Sequence, residues 1–340
     1  MTGSWLEVRA TDYHTAGEAF RIVTSGAPDI PGASVLERRE FARRSPGVDH
    51  VRKLLCHEPR GHADMYGCFL VPPDDSSADL GVLFWHKDGY STACGHGTIA
   101  LGAWAVESGR VPASPDGETD VVIDVPSGRV VARVRCAEGK VRSVTFRNVD
   151  SFPLARGVVV ETARGAVQCD IGWGGAIYAS VAATDLCLEV VPERYSALLE
   201  AGRELRRALA GTEWARHPTD SRLDGVYGVV IHQDLGATED GLLQRNVTVF
   251  ADGQVDRSPC GSGTSARLAL LVDAGELGVG GVLTHESILG TRFRARVVRA
   301  AQGGPRSAVV TEVEGLAHQT GEHLFVLDPD DELGTGFVLR

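Results

Sequence analysis

The sequence predicts an α/β protein of the α+β type, organised as two similar halves that each wrap strands around one central apolar helix. Three observations carry this. A short motif occurs once per half, as Cys94-Gly95-His96-Gly97-Thr98 and as Cys260-Gly261-Ser262-Gly263-Thr264. Each copy opens an apolar stretch, 98–106 and 266–272, of the kind expected for a helix enclosed by other structure. The segments between alternate apolar and polar residues with the period of strands.

Taken in order, residues 5–25 predict two strands. Leu6, Val8 and Ala10 alternate with polar neighbours, and Arg21-Ile22-Val23-Thr24 follows a glycine-containing turn. Residues 34–56 are charged with Val/Leu spacing and predict helix. Strands over 65–71 and 80–85 precede the helix of Cys94. Residues 112–117 form a turn-rich break with two prolines, followed by alternating strands at 119–126, 129–137 and 141–148. The second half repeats the style, with strands near 157–161, 166–171 and 176–182. A helix over 192–214 follows, its apolar face made by Leu198, Leu199, Leu205 and Leu209. Strands near 226–233 and 243–250 lead into the helix of Cys260, and the C-terminal part reads as strand at 306–314 and 322–327.

A chain of 340 residues can bury one large core or two medium ones. The formal net charge of −11 argues against a general nucleic-acid binder, which needs a basic footprint. No apolar run reaches the roughly 20 residues of a membrane span, and the N-terminus lacks the charged-then-apolar pattern of a secretory signal. The expectation is a cytoplasmic protein with no membrane partner. The seven cysteines are odd in number and lack C-x-x-C spacing, so neither a disulfide framework nor a structural zinc site is expected. Cys56, Cys68, Cys136, Cys169 and Cys187 read as small buried apolar residues.

Cys94 and Cys260 differ because each stands at a helix start. A helix N-terminus carries partial positive charge and unpaired N–H groups, so it favours a thiolate. Gly95, Gly97, Gly261 and Gly263 allow close backbone approach and could present N–H groups to a carboxylate. One copy alone would read as a tight turn before a helix; two copies, each headed by cysteine, point to two sulfur acid/base groups facing one small molecule. Both copies also fit the dinucleotide pattern G-x-G-x-x-A, but the acidic residue wanted about 20 residues later is replaced by the break near 115–117 after Cys94. Asp256, four residues before Cys260, is placed to hold an ammonium or to cap a turn. His96 could contact a ligand or tune Cys94. Two further polar segments, 14–18 and 58–67, either line a site or brace one.

At this point Ser91-Thr92-Ala93-Cys94-Gly95-His96-Gly97 and Asp256-Arg257-Ser258-Pro259-Cys260-Gly261-Ser262-Gly263 closely resemble the two signatures of the proline racemase family. That family includes proline racemase, 4-hydroxyproline 2-epimerase and trans-3-hydroxy-L-proline dehydratase. The resemblance extends over 14–23, 58–67, 80–96, 172–179, 249–266 and 315–339. It implies a fold like diaminopimelate epimerase, with the active site in the cleft between two domains. The implied domains are 1–125 plus about 313–340, carrying Cys94, and 126–312, carrying Cys260. It implies Cys94 and Cys260 as catalytic residues, Gly95, His96, Gly261 and Ser262 as donors to the substrate carboxylate, and Asp256 as the contact to the substrate nitrogen.

The implied reaction is cofactor-free: one thiolate takes the Cα proton while the opposite thiol delivers another, and fixed dipoles carry the carbanion charge. No metal, pyridoxal phosphate or nicotinamide is required. A free thiol titrates near about pH 8.5, and a helix start is expected to lower that towards neutrality. The expected partner is proline or a hydroxyproline, with proline preferred; a homodimer is compatible with this reading, and the sequence does not fix the oligomeric state. Two features depart from the family pattern. Ala93 stands where many members have Met. The stretches 60–68 and 80–90 look closer to the dehydratase branch, whose members typically carry Thr where this chain has Cys260. A non-catalytic binding protein of this fold would keep the glycines but has no need of both thiols.

Overall fold

A computed structural model describes residues 6–163, 165–301 and 308–339. The first half contains β1 (Leu6–Thr15), β2 (Glu18–Ser25), α1 (Val35–Ala42), α2 (Pro46–Cys56), β3 (Tyr66–Val71), β4 (Leu80–His86), β5 (Gly89–Tyr90), α3 (Gly95–Glu107), β6 (Gly117–Val125), β7 (Gly128–Ala137) and β8 (Lys140–Arg147). Then follow β9 (Phe152–Thr162), β10 (Gly165–Trp173), β11 (Ile177–Ala182), α4 (Tyr195–Leu209), β12 (Val226–Thr238), β13 (Gly241–Phe250), β14 (Gln254–Asp256), α5 (Gly261–Asp273), β15 (Val282–Ser287), β16 (Arg292–Ala300), β17 (Val309–Gly315) and β18 (Ala317–Leu327).

The strands join into one ribbon with an internal repeat. In the first half the neighbours run β18-β1-β2-β3-β4-β6-β7-β8, and in the second β9-β10-β11-β12-β13-β15-β16-β17. Parallel pairs fall at the same places in both series, β2–β3 and β4–β6 against β11–β12 and β13–β15. β8 and β17 pair antiparallel, Glu312 opposite Arg147, and stitch the halves together. After β8 the chain crosses to the second half as β9, and after β17 it crosses back as β18. The first half therefore takes its edge strand, β18, from the far end of the chain, while the second half, β9 to β17, is one continuous stretch.

Each half encloses its helix. α3 packs against β1, β2, β6, β7, β8, β17 and β18, and is buried from Gly95 to Ala105; α5 packs against β9, β10, β11, β16 and β17, and is buried from Gly261 to Leu271. Helices surrounded this way need no polar face, which is why their sequences are apolar on nearly every side.

Several element boundaries differ from expectation. The single helix over 34–56 is two, because Ser45 caps a new start and Pro46 occupies its first turn, where a missing N–H costs nothing. The helix over 192–214 is shorter, Tyr195–Leu209, ending ahead of Gly211 at φ +75°. Of the strand expected at 306–314, residues 306 and 307 lie outside the described residues; β17 begins at Val309, and β18 starts five residues earlier than 322. The β6–β7 hairpin straddles the expected 125/126 domain border. As a proposal, the division then falls at 148–151 and at residue 316. Cys187 is exposed, unlike the other cysteines, at a left-handed residue after a short turn.

Candidate active site

The two central helices meet end to end. A Cβ placed on Gly95 would stand 2.5 Å from the Gly261 Cα and 2.7 Å from the Ser262 nitrogen. The first N–H groups of a helix have no intrahelical partner, so those of Gly95, His96, Gly261 and Ser262 are concentrated at one junction. The Ser262 hydroxyl is buried there and has no hydrogen-bond partner among the described residues.

Cys94 and Cys260 line one small cavity beside this junction, together with Gly95, His96 and Asp256. Gly261 and Ser262 are not among the residues lining the cavity as it stands; they adjoin it through their contact with Gly95. The cavity measures about 20 Å³, room for about one water molecule. Both cysteines are nearly closed off, at 6% and 7% exposure. The repeat is broken at the cysteines themselves. Cys94 is extended at φ −155° and accepts the Gly97 N–H at 3.2 Å, capping its own helix. Cys260 adopts φ +62°, a conformation disfavoured for a residue with a side chain, and its N–H donates to the Ser258 hydroxyl.

The cavity is electrostatically demanding. Burial pushes both thiols above the usual thiol range; the carboxylate of Asp256 adds to this for both, and Cys260 adds to it for Cys94. The Gly97 N–H opposes the rise at Cys94. At Cys260 the Gly263 N–H and the hydroxyls of Thr248 and Tyr178 oppose it. The expected lowering by the helix start is therefore overturned by desolvation, which acts on the whole charge of a thiolate while the helix terminus offers only a partial charge. His96 lies 3.5 Å from the Cys94 sulfur and 3.8 Å from an Asp256 oxygen, and burial lowers its pKa, keeping the ring neutral.

The polar segments at 14–18 and 58–67 brace the end of β14, which carries Asp256. Glu18 accepts the Arg257 N–H at 2.7 Å, and Asp64 accepts the Arg257 guanidinium at 2.7 Å. Asp256 itself accepts the Ser258 N–H at 2.8 Å. Arg60 instead ties the segment to the C-terminal tail through Val326 and Gly334. His14 accepts the Gly17 N–H within its own turn.

Sequence reasoning missed the aromatic wall. Tyr66, Tyr178, Tyr227, Thr248 and Phe250 line the same cavity. The Tyr66 hydroxyl bonds those of Ser91 and Tyr227. Burial raises the pKa of all three tyrosines, so they remain protonated donors. The available signal was scarcity: the chain has only six tyrosines, and hydroxyls set in apolar strands call for buried partners.

The family model for proline racemase matches residues 10–338. The chain belongs to the proline racemase family. It is 42% identical to a trans-3-hydroxy-L-proline dehydratase of Bacillus thuringiensis subsp. konkukian, over 96% of this chain and 97% of the relative. It is 40% identical to a proline racemase of Clostridioides difficile, over 98% of each. Among solved structures, a hydroxyproline epimerase from Agrobacterium vitis with bound trans-4-hydroxy-L-proline superposes with TM-score 0.90 at 30% identity, over 98% of this chain and 96% of that one. More distant solved structures, at 11% and 15% identity, share the fold alone. The fold is thus the diaminopimelate epimerase-like one expected for this family. Among the described residues, no helix is long and apolar enough to cross a membrane.

Proposed function

We propose that this member inverts the Cα of proline or a hydroxyproline with its own two thiols. The observation that carries the reading is the convergence of Cys94 and Cys260 on one closed cavity beside Asp256. A substrate ammonium next to Asp256 would neutralise the carboxylate that holds both thiols protonated, so binding itself would favour a thiolate. The mutual repulsion of two thiolates then leaves one base and one acid. The base takes the Cα proton on one face, the opposite thiol delivers its proton on the other, and the roles exchange with substrate hand. The N–H groups of Gly95, His96, Gly261 and Ser262 would hold the carboxylate and the charge that spreads onto it.

A second reading, dehydration of trans-3-hydroxy-L-proline, draws on the dehydratase relatives and on the Ser91–Tyr66–Tyr227 hydroxyl chain, a proton source for a departing ring hydroxyl. The thiol at position 260 favours inversion. Polarimetry combined with an assay for the cyclic imine that loss of water would leave, on L-proline, trans-4-hydroxy-L-proline and trans-3-hydroxy-L-proline, separates the readings. Imine from the 3-hydroxy substrate, with no rotation change on the other two, would replace inversion by dehydration.

A further inference from the structure

A cavity with room for about one water molecule must open to admit a five-membered ring. Its walls are not equally movable. The helix starts are jammed at Gly95 and Gly261, and Asp256 ends β14, braced through Arg257. Tyr66, Tyr178, Thr248 and Phe250 are buried within strands. Tyr227 differs: it is only partly buried and stands at the start of β12, two residues after Gly225, whose surroundings are open.

Among the described residues, Tyr227 alone lines both this cavity and a larger basin of about 370 Å³ between the halves. Its backbone is pinned, because its carbonyl accepts from the Ala251 N–H and from Arg206 Nε, each at 3.2 Å. Its ring lies stacked on Phe250, and its hydroxyl bonds Tyr66 of the other half at 3.0 Å. Tyr178 and His86 flank the ring as well, so one hydrogen bond and ring contacts hold a side chain that can still turn on its fixed backbone more readily than a braced strand end moves.

The basin has the chemistry of an approach for a zwitterion. Arg39, Arg43, Arg52 and Arg206 line it, with Asp49, Asp88 and Asp224 as carboxylates on its wall; Asp49 pairs with Arg52, and Arg39 and Arg43 pair with Glu40. His86, on the same wall, is held down to about 3, first by burial and then by Arg52, Arg206, Lys87 and Arg39, a sign that cations set the local field. A carboxylate arriving there meets guanidinium groups before it meets the helix starts.

We infer that the basin is an outer subsite for a zwitterionic amino acid and that the Tyr227 side chain is the door between it and the Cys94–Cys260 cavity. The inference rests on the proposed reaction centre, and its main readout is independent of turnover.

The test uses the full chain with Cys187→Ser, to remove the exposed thiol, and Arg43→Cys at the exposed rim of the basin. Capping Cys-substituted position 43 with a bulky maleimide should slow iodoacetamide labelling of Cys94 and Cys260 at least about tenfold, read by peptide mass spectrometry. It should also lower kcat/KM on whichever proline-type substrate is turned over. Tyr227→Phe, which keeps the ring and removes the tether, should speed labelling of both thiols several-fold. Labelling at the uncapped rate in the capped protein, or at the wild-type rate in Tyr227→Phe, overturns the inference. If labelling responds as expected while no proline-type substrate is turned over, the door stands and the proposed reaction fails.

Discussion

The backbone of Gly95 rests directly against that of Gly261. A methyl group on the first would reach within 2.5 Å of the second's Cα, and the reverse substitution would reach within 2.7 Å. Neither neighbour is a side chain that can swing away. Two helix N-termini of like partial charge are thereby held together by the packing of the halves around them. Gly95→Ala should cost about 1–3 kcal/mol of stability by overpacking and remove activity by parting the helix starts. Chemical denaturation together with the rotation assay checks this; a variant as stable and active as wild type would show that the junction is not needed.

Inversion requires a proton donor and a proton acceptor on opposite faces. Cys94→Ser and Cys260→Ser should each abolish change of optical rotation, because a hydroxyl is a far weaker acid than a thiol. Cys136→Ser, on β7 away from the cavity, should leave it intact. Near wild-type inversion by either catalytic-position variant would sink the two-thiol scheme.

The raised thiols fix the sign of the pH response. Burial and Asp256 keep Cys94 and Cys260 protonated, so the thiolate is the minor form at neutral pH and grows as pH rises. Alkylation of both residues in the free protein should therefore accelerate with pH through the alkaline range. Asp256→Asn removes a negative charge that both thiols feel, and should move that profile to lower pH while raising KM. A profile that stays in place, or moves upward, would contradict the coupling.

Position 260 should decide the outcome for a 3-hydroxylated ring. Cys260→Thr removes the second-face acid but keeps a hydroxyl near Tyr178 and Thr248, with Cys94 as the remaining base. Product analysis should show inversion lost and cyclic-imine formation from trans-3-hydroxy-L-proline retained or gained. A variant that still inverts proline-type substrates would refute the assignment.

Much of the site was legible locally. Cys94 and Cys260 announced themselves by motif, and Asp256 and His96 by their distance from a cysteine. Glu18 and Asp64 were visible as polar residues in dense loops, yet nothing along the chain could show that both reach Arg257, 239 and 193 residues away. Tyr178 and Tyr227 were hidden for a related reason. In an apolar strand a tyrosine reads as core, and only the packing of β11 against β12 turns their rings towards the same thiols.

The sequence by itself determined the two apolar helices, the cysteine at each start, the strand periodicity and the family. These are properties of short windows, where period, composition and motif act over a few residues. Tertiary structure decided the β8–β17 pairing that stitches the halves, the jammed Gly95–Gly261 contact, the raised rather than lowered thiols and the closing of the cavity around them. Each depends on groups far apart in the chain and on how much water their packing excludes. Desolvation is a property of the assembled cavity, and no stretch of sequence carries it alone.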